Sequence, residues 1–102
     1  MDLSVVLPMY NESEHIALLY KELIEALDPT ALEYELLFVD DGSTDDSFDV
    51  LCRLQKTDHR IIVVRFRRNF GQTAALSAGF DHAKGEILIT MDADLQNDPK
   101  DI

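Results

Sequence analysis

Two carboxylates, Asp92 and Asp94, close the run Glu86-Ile-Leu-Ile-Thr-Met-Asp-Ala-Asp94. The run reads as a buried apolar strand that stops abruptly in acid. A strand alternates its faces with period two, so both carboxylates point the same way while the backbone stays extended. Paired carboxylates at the carboxyl end of a buried strand suit a hard divalent cation. Taken alone, the pair reads equally well as a surface turn.

Similar chemistry recurs at three other points. Pro8, Tyr10, Asn11 and Glu12 follow a first apolar run, Leu3 to Leu7. Asp40, Asp41, Gly42 and Ser43 follow a second, Tyr34 to Val39, and Arg67, Arg68 and Asn69 follow a third, Ile61 to Phe66. Turn and cap chemistry accounts for Gly42 and Ser43. Adjacent carboxylates at a strand terminus repel one another and call for a partner.

The elements that must position these groups alternate strand and helix. Asn11 reads as a helix N-cap with Glu14 three residues on, a capping-box arrangement. Ile16, Leu19, Leu23, Ile24 and Leu27 recur at helical spacing until Asp28-Pro29 stops them. Phe48, Leu51, Cys52 and Leu54 give a second helix its apolar face. Gln72 to Ala83 is an alanine-rich third, with Gly85 as its C-terminal stop. Apolar strands alternating with helices predict an α/β fold, a parallel twisted sheet of four strands with helices on both faces. Ligands of such sheets bind beyond the carboxyl ends of the strands, where strand order reverses. The polar residues gather at those ends. Asp98-Pro99 starts a further helix that Ile102 cuts short, so residues 1–102 read as an N-terminal fragment of a domain.

Charge narrows the partners. A net charge of −11 disfavours nucleic acid and anionic lipid. Six of the nine Lys and Arg residues lie between Arg53 and Arg68, which leaves Arg65, Arg67 and Arg68 as a basic island. Apolar stretches fall far short of a membrane span and no cleavable signal pattern opens the chain. The single Cys52 allows no disulfide framework and fits a reducing cytosol. His15, His59 and His82 receive no role. No Gly-x-Gly-x-x-Gly follows the first strand and no Gly-Lys-Ser/Thr loop is present, which argues against redox dinucleotides and P-loop nucleotides. A diphosphate beside Asp92 and Asp94 would face like charge, costing about 4 kcal/mol per unit pair at 4 Å in an effective dielectric of 20. A bridging divalent cation reverses that sign.

Four segments carry a family resemblance across the whole chain: Val5-Val-Leu-Pro-Met-Tyr-Asn-Glu12, Phe38-Val-Asp-Asp-Gly-Ser-Thr-Asp45, Arg68-Asn-Phe-Gly-Gln-Thr-Ala74 and Met91-Asp-Ala-Asp-Leu-Gln-Asn-Asp-Pro99. In that order they resemble glycosyltransferase family 2, and within it the polyprenyl-phosphate (dolichyl- or undecaprenyl-phosphate) hexose synthases. The resemblance implies the nucleotide-binding half of a GT-A fold and inverting, metal-assisted transfer of a hexose from a UDP- or GDP-sugar to polyprenyl phosphate. It implies that Pro8 and Tyr10 line the base pocket, that Glu12 and Asp41 bond base or ribose, and that Asp40 supports their loop. Arg68 and Gln72 would lie near the sugar diphosphate. Asp94 would coordinate Mg²⁺ or Mn²⁺, with Asp92 toward the ribose or a metal-bound water. The resemblance places an acceptor half after the segment that Ile102 closes, so residues 1–102 are expected to bind nucleotide weakly without catalysing transfer. The whole protein is expected at the cytoplasmic face of the membrane. An exposed edge on strand four is expected to bring a second copy of the chain.

Rival readings are a polysaccharide or lipopolysaccharide acceptor, an Asp-x-Asp phosphatase with Asp92 as nucleophile, and an acidic receiver-like module. The last two place their acids after the first strand, whereas here three strand–helix units precede the pair.

Overall fold

The computed structural model describes residues 1–91. The chain runs β1 (Leu3–Met9), α1 (Ser13–Leu27), a 3-10 turn (Asp28–Thr30), β2 (Tyr34–Asp40), α2 (Ser47–Thr57), β3 (Ile61–Arg65), α3 (Gln72–His82) and β4 (Ile87–Thr90). The strands form one parallel sheet in the order β3-β2-β1-β4. Right-handed crossovers running outward from β1 to β3 place their helices on one face. The return past β1 to β4 places the next helix on the other. Accordingly, Leu3, Val5, Leu7 and Met9 of β1 share a core with Ile16, Leu19, Leu23 and Leu27 of α1 and Leu51 of α2.

On the opposite face α3 lies close against β1. A Cβ on Gly79 would fall 2.3 Å from Val6 Cγ1, so only glycine lets the helix approach this far. Ala75, one turn earlier, is fully buried. The small residues of α3 are thus the means of close helix–sheet packing.

Three local expectations are corrected. Asn11 does not cap α1: Glu12 occupies the N-cap position without a side-chain cap bond, and Asn11 adopts φ 52°. Asparagine tolerates this left-handed conformation, and its Oδ1 accepts the Thr44 N–H at 2.8 Å instead. Gly85 does not stop α3, which ends in an extended Ala83. Its requirement is space, since a Cβ there would lie 2.5 Å from Leu3 C and Ser4 N. β4 is not buried among the described residues: there it bonds to β1 along one edge only, and Ile87 and Leu88 are 57% and 47% exposed. Only Ile89 of β4 packs against the core.

Two polar clusters, one buried and one part-buried, fix the amino end of the sheet. Glu35 Oε2 accepts Ser4 Oγ–H at 2.6 Å and the Lys84 N–H at 2.7 Å, tying the α3–β4 loop to the strands. On the other face Arg60 donates to both oxygens of Asp58 at 2.9 Å and to Asp28 Oδ1 at 3.0 Å. Tyr20 donates to Asp58 at 2.7 Å and Tyr34 to Asp28 at 2.6 Å. This staple joins α1, β2 and the α2–β3 turn.

Candidate nucleotide-binding edge

Strand order reverses between β1 and β4, and the carboxyl ends of these strands are where an open parallel sheet binds its ligands. Met91 is buried and donates its N–H to the Val6 carbonyl at 3.1 Å. Asp92 and Asp94 themselves lie outside the described residues. Among the described residues, no group of three His, Cys, Asp or Glu side chains is gathered to hold a metal ion.

The loops after β1 and β2 are bound reciprocally. Asn11 N–H donates to Ser43 Oγ at 2.9 Å, Glu12 N–H to Ser47 Oγ at 3.1 Å, and Ser13 N–H to Asp45 Oδ2 at 3.4 Å. Asn11 Oδ1 takes the Thr44 and Asp45 N–H groups in return. Burial pushes the Asp45 carboxyl upward, but hydrogen bonds from Ser47 and Ser13 outweigh it and hold the group below its ordinary range. Pro8, half-buried in β1, and Tyr10, 45% exposed, present their rings at this joined rim. Glu12 is half-buried, with Oε2 2.6 Å from His15 Nδ1. Spacing of i, i+3 on a helix is the signal from which this contact could have been read.

Asp40 and Asp41 have separate duties. Asp41 is 4% exposed and clasps the loop after β3. Its carboxylate accepts the Phe70 N–H at 2.8 Å, the Gly71 N–H at 3.0 Å and Asn69 Nδ2–H at 3.1 Å. Asp40 is fully buried, with Oδ1 accepting the Ser43 N–H at 3.1 Å. Its Oδ2 receives no hydrogen bond among the described residues. A buried acceptor of this kind is costly until some donor reaches it. Gly42, at φ +72°, completes the joint, since a Cβ there would sit 2.1 Å from Arg68 C.

The basic island lies along the same edge. Arg65 stacks its guanidinium over Phe48 at 4.2 Å and Arg68 over Phe70 at 4.7 Å. Arg68 and Gln72, the first residue of α3, are exposed. The structure thus brings Pro8, Tyr10, Glu12, Asp40, Asp41, Arg68 and Gln72 to the carboxyl ends of β1, β2 and β3. Sequence reasoning missed His15 and the clasping role of Asp41.

The glycosyl transferase family 2 model matches residues 4–102. An undecaprenyl-phosphate 4-deoxy-4-formamido-L-arabinose transferase of Edwardsiella ictaluri is 46% identical over 97% of this chain, and its namesake from Photorhabdus laumondii is 44% identical. The chain spans 31% of the length of these curated relatives. Among solved structures, the mannosyltransferase PcManGT of Pyrobaculum calidifontis, in complex with GDP-Man and Mn²⁺, superposes with TM-score 0.81 at 30% identity. That match covers 90% of this chain and 27% of the other. S. aureus TarS 1-349 in complex with UDP gives TM-score 0.73 at 26% identity, over 92% of this chain and 28% of its own. The four-strand parallel sheet, its polar carboxyl edge and the match across residues 4–102 agree: the chain belongs to glycosyl transferase family 2.

Proposed function

We propose that residues 1–102 form the nucleotide-sugar-binding half of an inverting, metal-assisted glycosyltransferase. The whole protein would move a glycosyl group from a UDP- or GDP-sugar to polyprenyl phosphate at the cytoplasmic face of a membrane. The observation that carries this reading is one continuous edge bearing an exposed aromatic, a tethered carboxylate, a buried open acceptor and a basic stretch. Support comes from a relative of the same fold whose structure holds GDP-Man and Mn²⁺ and from relatives named for undecaprenyl phosphate. Those relatives are named for an arabinose derivative and the solved relative for a hexose, so the proposal extends to sugars of either kind.

Tyr10 and Pro8 would face the base, and Glu12 the ribose or base. Asp41 already holds three donors, yet a carboxylate offers about four acceptor sites, which leaves room for a ligand N–H or O–H. Arg68 and Gln72 would meet the sugar diphosphate. Asp92 and Asp94 are hard oxygen donors that fit Mg²⁺ or Mn²⁺. When bound there, the metal would neutralise charge on the leaving diphosphate. An acceptor phosphate oxygen is already ionised, so the attacking group needs no strong base. The open β4 edge would take a strand of a second copy.

Calorimetric titration with UDP and GDP, with and without Mn²⁺, tests the reading. The metal should tighten binding to the wild type, and Asp94→Asn should abolish that gain. Equal metal dependence in wild type and variant would overturn the assignment.

A further inference from the structure

Glu12 is restrained beyond what its place at a helix start demands. Its N–H donates to Ser47 Oγ at 3.1 Å, its carbonyl accepts the His15 N–H at 2.9 Å, and its Oε2 lies 2.6 Å from His15 Nδ1. An ionised carboxylate only accepts, so a contact this short places a proton on Nδ1. Glu14 Oε1 lies 3.9 Å from His15 Nε2, at the far side of the ring from this contact. One imidazole therefore fixes Oε2 and leaves Oε1 as the oxygen it does not engage.

We propose that His15 is a positioning residue, which locks the Glu12 carboxylate so that Oε1 meets a ribose hydroxyl or base N–H of the nucleotide. The proposal rests on the reading of Glu12 as a nucleotide contact. A free glutamate loses rotamer entropy when it orders around a ligand. The His15 contact transfers that loss to folding, leaving a pre-oriented acceptor at the rim. Histidine suits the task because Nδ1 sits close to the backbone and reaches back to a carboxylate one turn earlier. The role acts only through Glu12, with no contact between imidazole and ligand.

The test is calorimetric titration of wild type, Glu12→Gln, His15→Ala, His15→Asn and His15→Gln with UDP and GDP, each variant's melting temperature being recorded alongside. Asparagine puts its amide nitrogen where Nδ1 stood, and glutamine puts its own where Nε2 stood. His15→Ala, His15→Gln and Glu12→Gln should each weaken binding about tenfold, the size expected for loss of a charge-assisted contact. His15→Asn should return affinity to within about threefold of wild type, with melting temperatures of all variants nearly level. If the three His15 variants bind like wild type while Glu12→Gln weakens, the proposal is overturned and the site reading stands. If they bind alike but weakly, or affinity falls only in step with melting temperature, His15 is merely structural and the proposal is again overturned. If Glu12→Gln has no effect, or wild type binds neither nucleotide, both fall together.

Discussion

Asp40 and Asp41 are one peptide apart and do unlike work, because consecutive residues leaving a strand point to opposite sides. Asp41 turns toward the loop after β3 and gathers three N–H donors from Asn69, Phe70 and Gly71. Asp40 turns inward, with one oxygen on Ser43 and one open. An Asp41→Asn change keeps the shape but turns one accepting oxygen into an NH₂ group that opposes an N–H donor. The expected loss is about 2 kcal/mol of stability, read in urea denaturation, with faster hydrogen exchange at the Phe70 and Gly71 amides. Unchanged protection of those amides would sink the clasp. The sequence marked both aspartates as needing partners, but not which loop supplies them. Residues 41 and 70 meet only through a strand register that no local pattern encodes. Asn11 is a parallel case. Its type is as good for a cap as for a left-handed bridge, and the Thr44 and Asp45 amides across the rim decided between them.

Elements were more legible than their boundaries. Helical spacing of Ile16, Leu19, Leu23 and Leu27 located α1, and all four are buried. β4 has the composition of a buried strand, yet among the described residues it lies at the sheet edge with two apolar side chains exposed, in line with the open edge expected of strand four. The staple at the amino end was equally hidden, assembled from five residues between 20 and 60. Hydrogen bonds from Arg60 hold the Asp58 carboxyl well below the ordinary carboxylate range, against the upward push of burial. Burial and the bond to Asp28 push the Tyr34 phenol well above its ordinary value, and bonds from Tyr34 and Arg60 lower Asp28. A depressed carboxylate contributes stability that is complete above its unfolded value, about pH 4, and is lost as pH falls toward the folded one. A raised phenol contributes below its unfolded value, about pH 10, and loses that contribution as pH rises. The contribution of this staple to stability should therefore be flat from about pH 5 to 9 and decline on either side. At pH 7, Asp58→Asn should cost about 2 kcal/mol, the scale of charge-assisted hydrogen bonds weakened in a part-buried pair. The deficit should shrink toward pH 2, because the unfolded chain's carboxyl takes up a proton that the folded one resists. Denaturant melts of both proteins across pH would show this, and a deficit independent of pH would contradict it.

For the whole molecule, charge and shape pull in opposite directions. A net charge of −11 keeps copies apart, while β4 offers an edge unpaired among the described residues, with Ile87 and Leu88 exposed. Salt should shift the balance toward association, since screening weakens repulsion but leaves strand pairing intact. Light scattering should give the 11.6 kDa monomer mass in dilute, low-salt solution and twice that in concentrated, high-salt solution. Leu88→Lys should restore the monomer. A monomeric mass under every condition would show that the edge is not used.

The seat of Gly42 against the Arg68–Asn69 peptide, with Asp41 holding the next two amides, makes the loops after β2 and β3 a single mechanical part. A chimera that borrowed one loop from a relative would set a foreign backbone against a contact with no spare room. Exchange of both loops together would carry the joint intact. Divergence of substrate preference at this rim is thus expected to proceed by paired changes in two segments far apart in the chain, and libraries that randomise either alone should yield mostly unfolded protein.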